Sequence, residues 1–109
     1  MANHDEAAIE AEIQAKGKTA PRITPQQIDD TIAGEAYLNM GDATGVPALK
    51  VLTICTLILK NGFIVTGESA CASPENYDAE IGRKIAHDNA RNKIWALEGY
   101  RLRSELAKA

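Results

Sequence analysis

Arg83, His87 and Arg91 recur every four residues, so any helix that carries them puts all three on one face. Lys84 stands beside them, and Asp88 is the one acid between positions 83 and 93. A guanidinium fork grips phosphate oxygens from two directions, so this stripe has the chemistry of a local phosphate site. The other reading is a solvated helix face on which Asp88 pairs with Lys84 or Arg91. A second group, Tyr37, Asn39 and Lys50, flanks the loop Gly41 to Pro47. Tyr37 offers a ring for a base to stack on, Asn39 an amide to read a base edge, and Lys50 a charge for a phosphate. A surface tyrosine covering a loop would look the same. Lys50 is the more telling residue, because it is the only charge in the apolar run from Val46 to Leu59 and must either snorkel or meet an anion.

Catalytic arrangements are sparse. Gly67-Glu68-Ser69-Ala70-Cys71 hints at a nucleophile elbow, but it lacks the closing glycine and a following Asp and His. Pairing His87 with Ser69 or Cys71 as a hydrolase is the weaker reading. The two cysteines, Cys55 and Cys71, form no CxxC or Cys/His cluster, so no zinc site is expected. With no glycine-rich phosphate loop either, no cofactor is expected, and the chain is expected to bind rather than to catalyse.

These side chains need elements to hold them. In 109 residues there is room for one domain, and 45% of them are hydrophobic. Residues 1–22 are rich in Ala and Glu and read as a flexible or frayed-helical tail, leaving 23–109 as a single domain. Thr24-Pro25-Gln26-Gln27 is a capping box with proline at the first helical position. Ile28, Ile32, Ala36 and Met40 follow at four-residue spacing, which predicts a helix ending near Asn39–Gly41. The run from Val46 to Lys60 is apolar on almost every face and reads as a buried helix, with a strand as the rival reading because of its β-branched content. Asn61-Gly62 ends it, and Phe63 to Thr66 looks extended. A last helix opens at Ser73-Pro74 and carries a strip of small residues (Ala79, Gly82, Ala86, Ala90, Gly99) along which another backbone can approach closely; a kink near Gly99 is the other reading. The fold class expected is therefore all-α, a short N-terminal helix plus two longer antiparallel helices. The apolar middle helix, too extensive for a lone three-helix chain to cover, implies a symmetric homo-oligomer.

Charge narrows the partners. The net charge is -3, but residues 1–35 balance to -4 and residues 36–109 to +1, so an anion site belongs in the C-terminal two-thirds and duplex nucleic acid is disfavoured. A DNA-associated accessory role for the basic stripe is disfavoured on the same ground. The apolar run is too short to span a bilayer, and the acidic N-terminus lacks a signal-peptide pattern. A cytoplasmic location and no membrane partner are expected.

The segment from Leu52 to Leu106 carries the blocks LKNGF, GESAC, SPEN, EIGRKIA and KIW-LEGY in order. It resembles a family of small tailed-phage proteins built around those blocks, departing from the pattern at Ala96, where proline would stand. Members of that family are similar to phage anti-CBASS sponges, which are helical, form hexamers, and hold cyclic oligonucleotide messengers between subunits without degrading them. The resemblance implies counter-defence in the host bacterial cytoplasm, with cyclic dinucleotides such as cGAMP, or cyclic trinucleotides, as ligands and a homohexamer as the assembly. On that reading Tyr37 and Lys50 come together in a hairpin of the first two helices. Arg91, Arg83 and Thr53 then form a second phosphate site about a symmetry axis. The alternative is a phage protein that docks on a host factor through its apolar helix.

Overall fold

The computed structural model describes residues 5–18 and 20–108. Helix α1 (Glu6–Ala15) is followed by the short helix α2 (Pro25–Asp30), strand β1 (Ile32–Asn39) and helix α3 (Met40–Thr44). A 3-10 turn, Pro47–Val51, leads into β2 (Leu52–Leu59), then β3 (Ile64–Ala70), a second 3-10 turn at Pro74–Asn76, and the long helix α4 (Ala79–Lys108). The strands form one antiparallel sheet in the order β1-β2-β3. The fold is α+β, which corrects the all-α expectation. Among the described residues, no helix is long and apolar enough to cross a membrane.

The first error lies after the cap. Thr24 Oγ1 accepts from the Gln27 amide at 3.2 Å and Gln27 Oε1 accepts from the Thr24 amide at 2.8 Å, so the capping box is real. The helix it opens nevertheless stops at Asp30, and the chain continues as β1 rather than as helix to Gly41. Ile32, Ala36 and Met40 fit a helical stripe by spacing, but pairing with β2 decides the conformation. Propensity is a weak prior that tertiary pairing overrides.

The second error concerns residues 46–60, which form the 3-10 turn and the central strand instead of a helix. Thr53, Cys55, Leu57 and Leu59 point to one side and are buried, while Leu52, Ile54, Thr56 and Ile58 point to the other. A strand apolar on both faces has no alternation to betray it, so it reads like a buried helix. Asn61-Gly62 is the turn of the β2–β3 hairpin. Gly62 does take the left-handed conformation, at φ 89°, and the Leu59 amide donates to Phe63 O at 2.8 Å.

Helix α4 crosses the buried face of the sheet. Its strip Gly82, Ala86, Ala90 and Ile94 is buried, so the small residues admit the chain's own sheet rather than a neighbouring subunit. Gly67 of β3 lies so close beneath α4 that a Cβ there would collide with the backbone of Ala86 and Ala90. The helix continues unbroken through Gly99. Thirty residues of helix span about 45 Å, against about 26 Å for an eight-residue strand, so α4 runs well past the sheet. The radius of gyration is accordingly 16.8 Å, above the ~13 Å of a compact domain of this length.

Candidate functional site

The six residues singled out from sequence fall into separate places. Tyr37, on β1, faces α4 opposite Cys55. It lines an open cleft of about 530 Å³ with Glu35, Glu80, Arg83, Lys84, His87 and Asp88. The phenol donates to Glu35 Oε1 at 3.0 Å, and desolvation, then that hydrogen bond, pushes its pKa above the ordinary value. His87 Nε2 lies 3.7 Å from Glu35 Oε2, and Nδ1 3.3 Å from Asp88 Oδ1. Three carboxylates thus face Arg83 and Lys84, a balance that disfavours an anion. The His87 ring is engaged over β1. Ser69 lies on β3, and the polar contacts of the His87 ring are to Glu35 and Asp88 rather than to Ser69. Cys55 is wholly buried, which pushes its thiol pKa up.

Arg91 is already occupied. Its Nη1 and Nη2 donate to Glu6 Oε2 and Oε1 at 2.7 and 2.9 Å, and Nε donates to Asp29 Oδ1 at 2.8 Å. Nη2 also donates to the Pro25 carbonyl at 3.2 Å. These carboxylates raise the Arg91 pKa, the Glu6 hydrogen bonds most of all. The guanidinium ties α1 and α2 to α4. Glu10 and Arg22 make a second bidentate pair at 2.7 and 2.6 Å, anchoring α1 along its length. Thr53 is 2% exposed beneath Gly82, and its hydroxyl has no hydrogen-bond partner. Gly82 and Arg91 are nine residues apart, about 13 Å along the helix, so Thr53 and Arg91 do not share a site.

Lys50 and Asn39 do come together, with a residue that spacing alone did not single out. Asn39 ends β1, and its Oδ1 caps α3 by accepting from the Asp42 amide at 3.0 Å. Its Nδ2 donates to the Lys50 carbonyl and to the Tyr77 phenolic oxygen, both at 2.9 Å. Gly41, in α3, packs against the Lys50 backbone and Cγ so closely that any Cβ would overlap them. The turn carrying Lys50 is therefore pinned against the turn carrying Tyr77. Between them opens a cleft of about 610 Å³ walled by Pro47, Ala48, Val51, Ala72 and Pro74, with Lys50 and Tyr77 on its rim. No carboxylate lines it, and none among the described residues pairs with the Lys50 ammonium. Tyr77 could have been suspected from its place in a Pro-Glu-Asn-Tyr turn before α4, but it reads equally well as the first apolar residue of the helix.

Tyr37 and Lys50 thus belong to different clefts, on strand and turn rather than at the ends of a helical hairpin. Among the described residues, no group of three or more His, Cys, Asp or Glu could hold a metal ion.

No curated protein and no solved structure matches the chain at a meaningful level. The family comparison does match, over residues 23–106 and so over every element from α2 to α4 except the last two residues of that helix. By that match the chain belongs to the phage protein (N4 Gp49/phage Sf6 gene 66) family.

Proposed function

We propose that this phage protein binds and sequesters a small phosphate-bearing ligand of the cyclic oligonucleotide class without transforming it, in the host bacterial cytoplasm. The observation that carries the reading is the Lys50–Tyr77 cleft, in which an ammonium unpaired among the described residues and a clamped aromatic ring flank apolar walls free of carboxylates. Its volume is within the range of small-molecule sites. The ring can stack on a base and the ammonium can meet a phosphate. The likeness of the sequence blocks to anti-CBASS sponges favours the same ligand class. The helical frame that came with that likeness is not this chain's fold, so the pocket rests on its own chemistry. Binding without turnover is favoured because the His87 ring, the base weighed for Ser69 and Cys71, lies against Glu35 and Asp88 instead.

Stacking on an aromatic contributes roughly 1–3 kcal/mol, and a charge-assisted hydrogen bond about 1.5–3 kcal/mol. Calorimetric titration of the full chain with 3′,3′-cGAMP should therefore show binding that Lys50→Ala and Tyr77→Ala each weaken at least tenfold. Arg91→Ala and Tyr37→Phe should leave it within about threefold. Unchanged affinity in both cleft variants would place the ligand elsewhere, and no heat at high micromolar ligand would reject this ligand class.

A further inference from the structure

On the face of the sheet turned away from α4, Ile58 is exposed and Leu52, Ile54 and Thr56 are half-buried. Residues alternate along the strands, so Leu38, Ile54, Ile58 and Ile64 share this face with Thr66 and Glu68. Ile58, 42% exposed, pairs with Ile64, 55% exposed, and Leu38, 48% exposed, pairs with Ile54 four residues away along β2. Glu68, on the outer strand β3, is the only charged side chain on that face of the three strands. Central strands with two apolar faces belong to sheets covered on both sides. Here α4 covers one side, and among the described residues the other is left partly exposed.

We infer that the open face of the β1–β2–β3 sheet is the contact surface for a second copy of this chain, the two sheets packing face to face about a twofold axis. Three observations choose that occupant over another. The first is area. By mass scaling a compact 11.7 kDa monomer exposes about 5,900 Å², whereas this chain exposes 7161 Å². The excess, about 1,300 Å², is larger than the ~800 Å² per partner of a standard interface. The overhang of α4 accounts for part of it, and the open sheet for an apolar part left partly exposed among the described residues. The second is charge. A twofold contact brings a surface against itself, and a face with one peripheral carboxylate does so without like-charge repulsion at its centre. The third is core size. The buried apolar set comprises Ile28, Cys55, Leu57, Leu59, Val65, Ala86, Ala90 and Ile94, two of them alanines, which is thin for a chain of 109 residues. Stacking two sheets about 10 Å apart would turn Ile54 and Ile58 of each copy into a second core.

This contact differs from the one expected from sequence, which used a helix over 46–60 and the Gly82/Ala86 strip. That strip is spent inside the chain. The Lys50–Tyr77 cleft shares none of the residues named on the open face, so the two proposals are tested by different substitutions.

Sedimentation velocity of the full chain from 1 to 100 µM is the test, alongside Ile58→Lys and Thr66→Arg. Thr66 is exposed on the open face and contributes nothing to the buried core, so its replacement leaves the monomer fold intact if the Ile58 variant does not. The expected result is a dimer or an assembly of dimers for the wild-type chain. In Thr66→Arg the dissociation constant rises at least tenfold while the helical circular dichroism is unchanged. A wild-type chain that is monomeric throughout would overturn the inference and leave the face to a different protein, such as a host factor. An assembly indifferent to both substitutions would overturn it too, because the contact would lie elsewhere.

Discussion

The side-chain amide of Asn39 and the phenol of Tyr77 meet at 2.9 Å across 38 residues of sequence, and the same amide holds the Lys50 carbonyl. Asn39 thereby sets the distance between the two walls of the proposed ligand cleft while capping α3 at the other end of its side chain. Asn39→Ala removes three hydrogen bonds at once. Loss of the cap alone costs about 1 kcal/mol, so its thermal midpoint should fall by roughly 4–8 °C. Affinity for a cyclic dinucleotide should drop several-fold with it. Tyr77→Phe keeps the ring and loses only the clamp, so it should show the smaller affinity loss of the two. Equal affinity in all three proteins would show that the clamp does not shape the site.

Arg91 makes the opposite prediction to the one its sequence position suggests. With Glu6 and Asp29 on its guanidinium, Arg91→Ala leaves two carboxylates facing each other without a cation. The pair is neither fully buried nor fully exposed, and the cost is about 2 kcal/mol, between those limits. Urea denaturation should show that loss while ligand affinity stays within threefold. A stability loss below about 0.5 kcal/mol together with a tenfold affinity loss would restore Arg91 as a phosphate ligand.

How much of this was legible in advance differs between elements. The capping box at Thr24 is a local feature and read correctly. The long final helix was legible too, but it starts at Ala79, with a 3-10 turn where Ser73-Pro74 was expected to open it. The left-handed Gly62 turns a hairpin rather than ending a helix. Strand β2 did not read correctly, because Leu52–Leu59 is apolar on both faces and its partner strands lie outside any short window. Tyr37 and Arg91 carried suitable chemistry, but the carboxylates that engage them, Glu35 on β1 and Glu6 and Asp29 on α1 and α2, come within reach only in the fold. Lys50 was conspicuous as a lone charge in an apolar run, and it lines an open cleft in the fold.

The attachment of α1 should depend on pH. Arg22, through its hydrogen bonds, lowers the Glu10 pKa from 4.5 to about 2. A carboxylate whose folded pKa is depressed stabilises the docked state above its unfolded value, and that contribution is lost as pH falls through the folded value. Docking of α1 should therefore weaken progressively from pH 4.5 down to about 2. Trp95, the single tryptophan, lines the apolar pocket beneath α1 with Ile9 and Ile13, so its emission reports the event. A red shift should develop across that window and be reduced in Glu10→Gln. A Trp95 signal that moves only with global unfolding would show that the pair does not hold α1.

Two glycines on neighbouring elements should respond with opposite signs. Gly67→Ala would drive a methyl group into the α4 backbone, and overpacking of this kind costs about 1–3 kcal/mol. Gly99 sits in the interior of α4 with open space around it, so Gly99→Ala should stabilise by up to about 1 kcal/mol. Urea midpoints for the two variants read the difference directly. Stabilisation by Gly67→Ala would mean that α4 does not lie as closely on β3 as the structure places it.

Sequestration without turnover is tested most directly by mixing the intact protein with 3′,3′-cGAMP at a slight molar excess of binding sites. After an hour the mixture is passed through a membrane that retains protein, and the retained fraction is denatured. The filtrate should be depleted of cyclic dinucleotide, and the denatured fraction should return it as the intact cyclic species in matching amount. Lys50→Ala should leave most of it in the filtrate. Undepleted filtrate from the wild-type protein, or recovery of a linear or hydrolysed product above a buffer control, would contradict the proposed function.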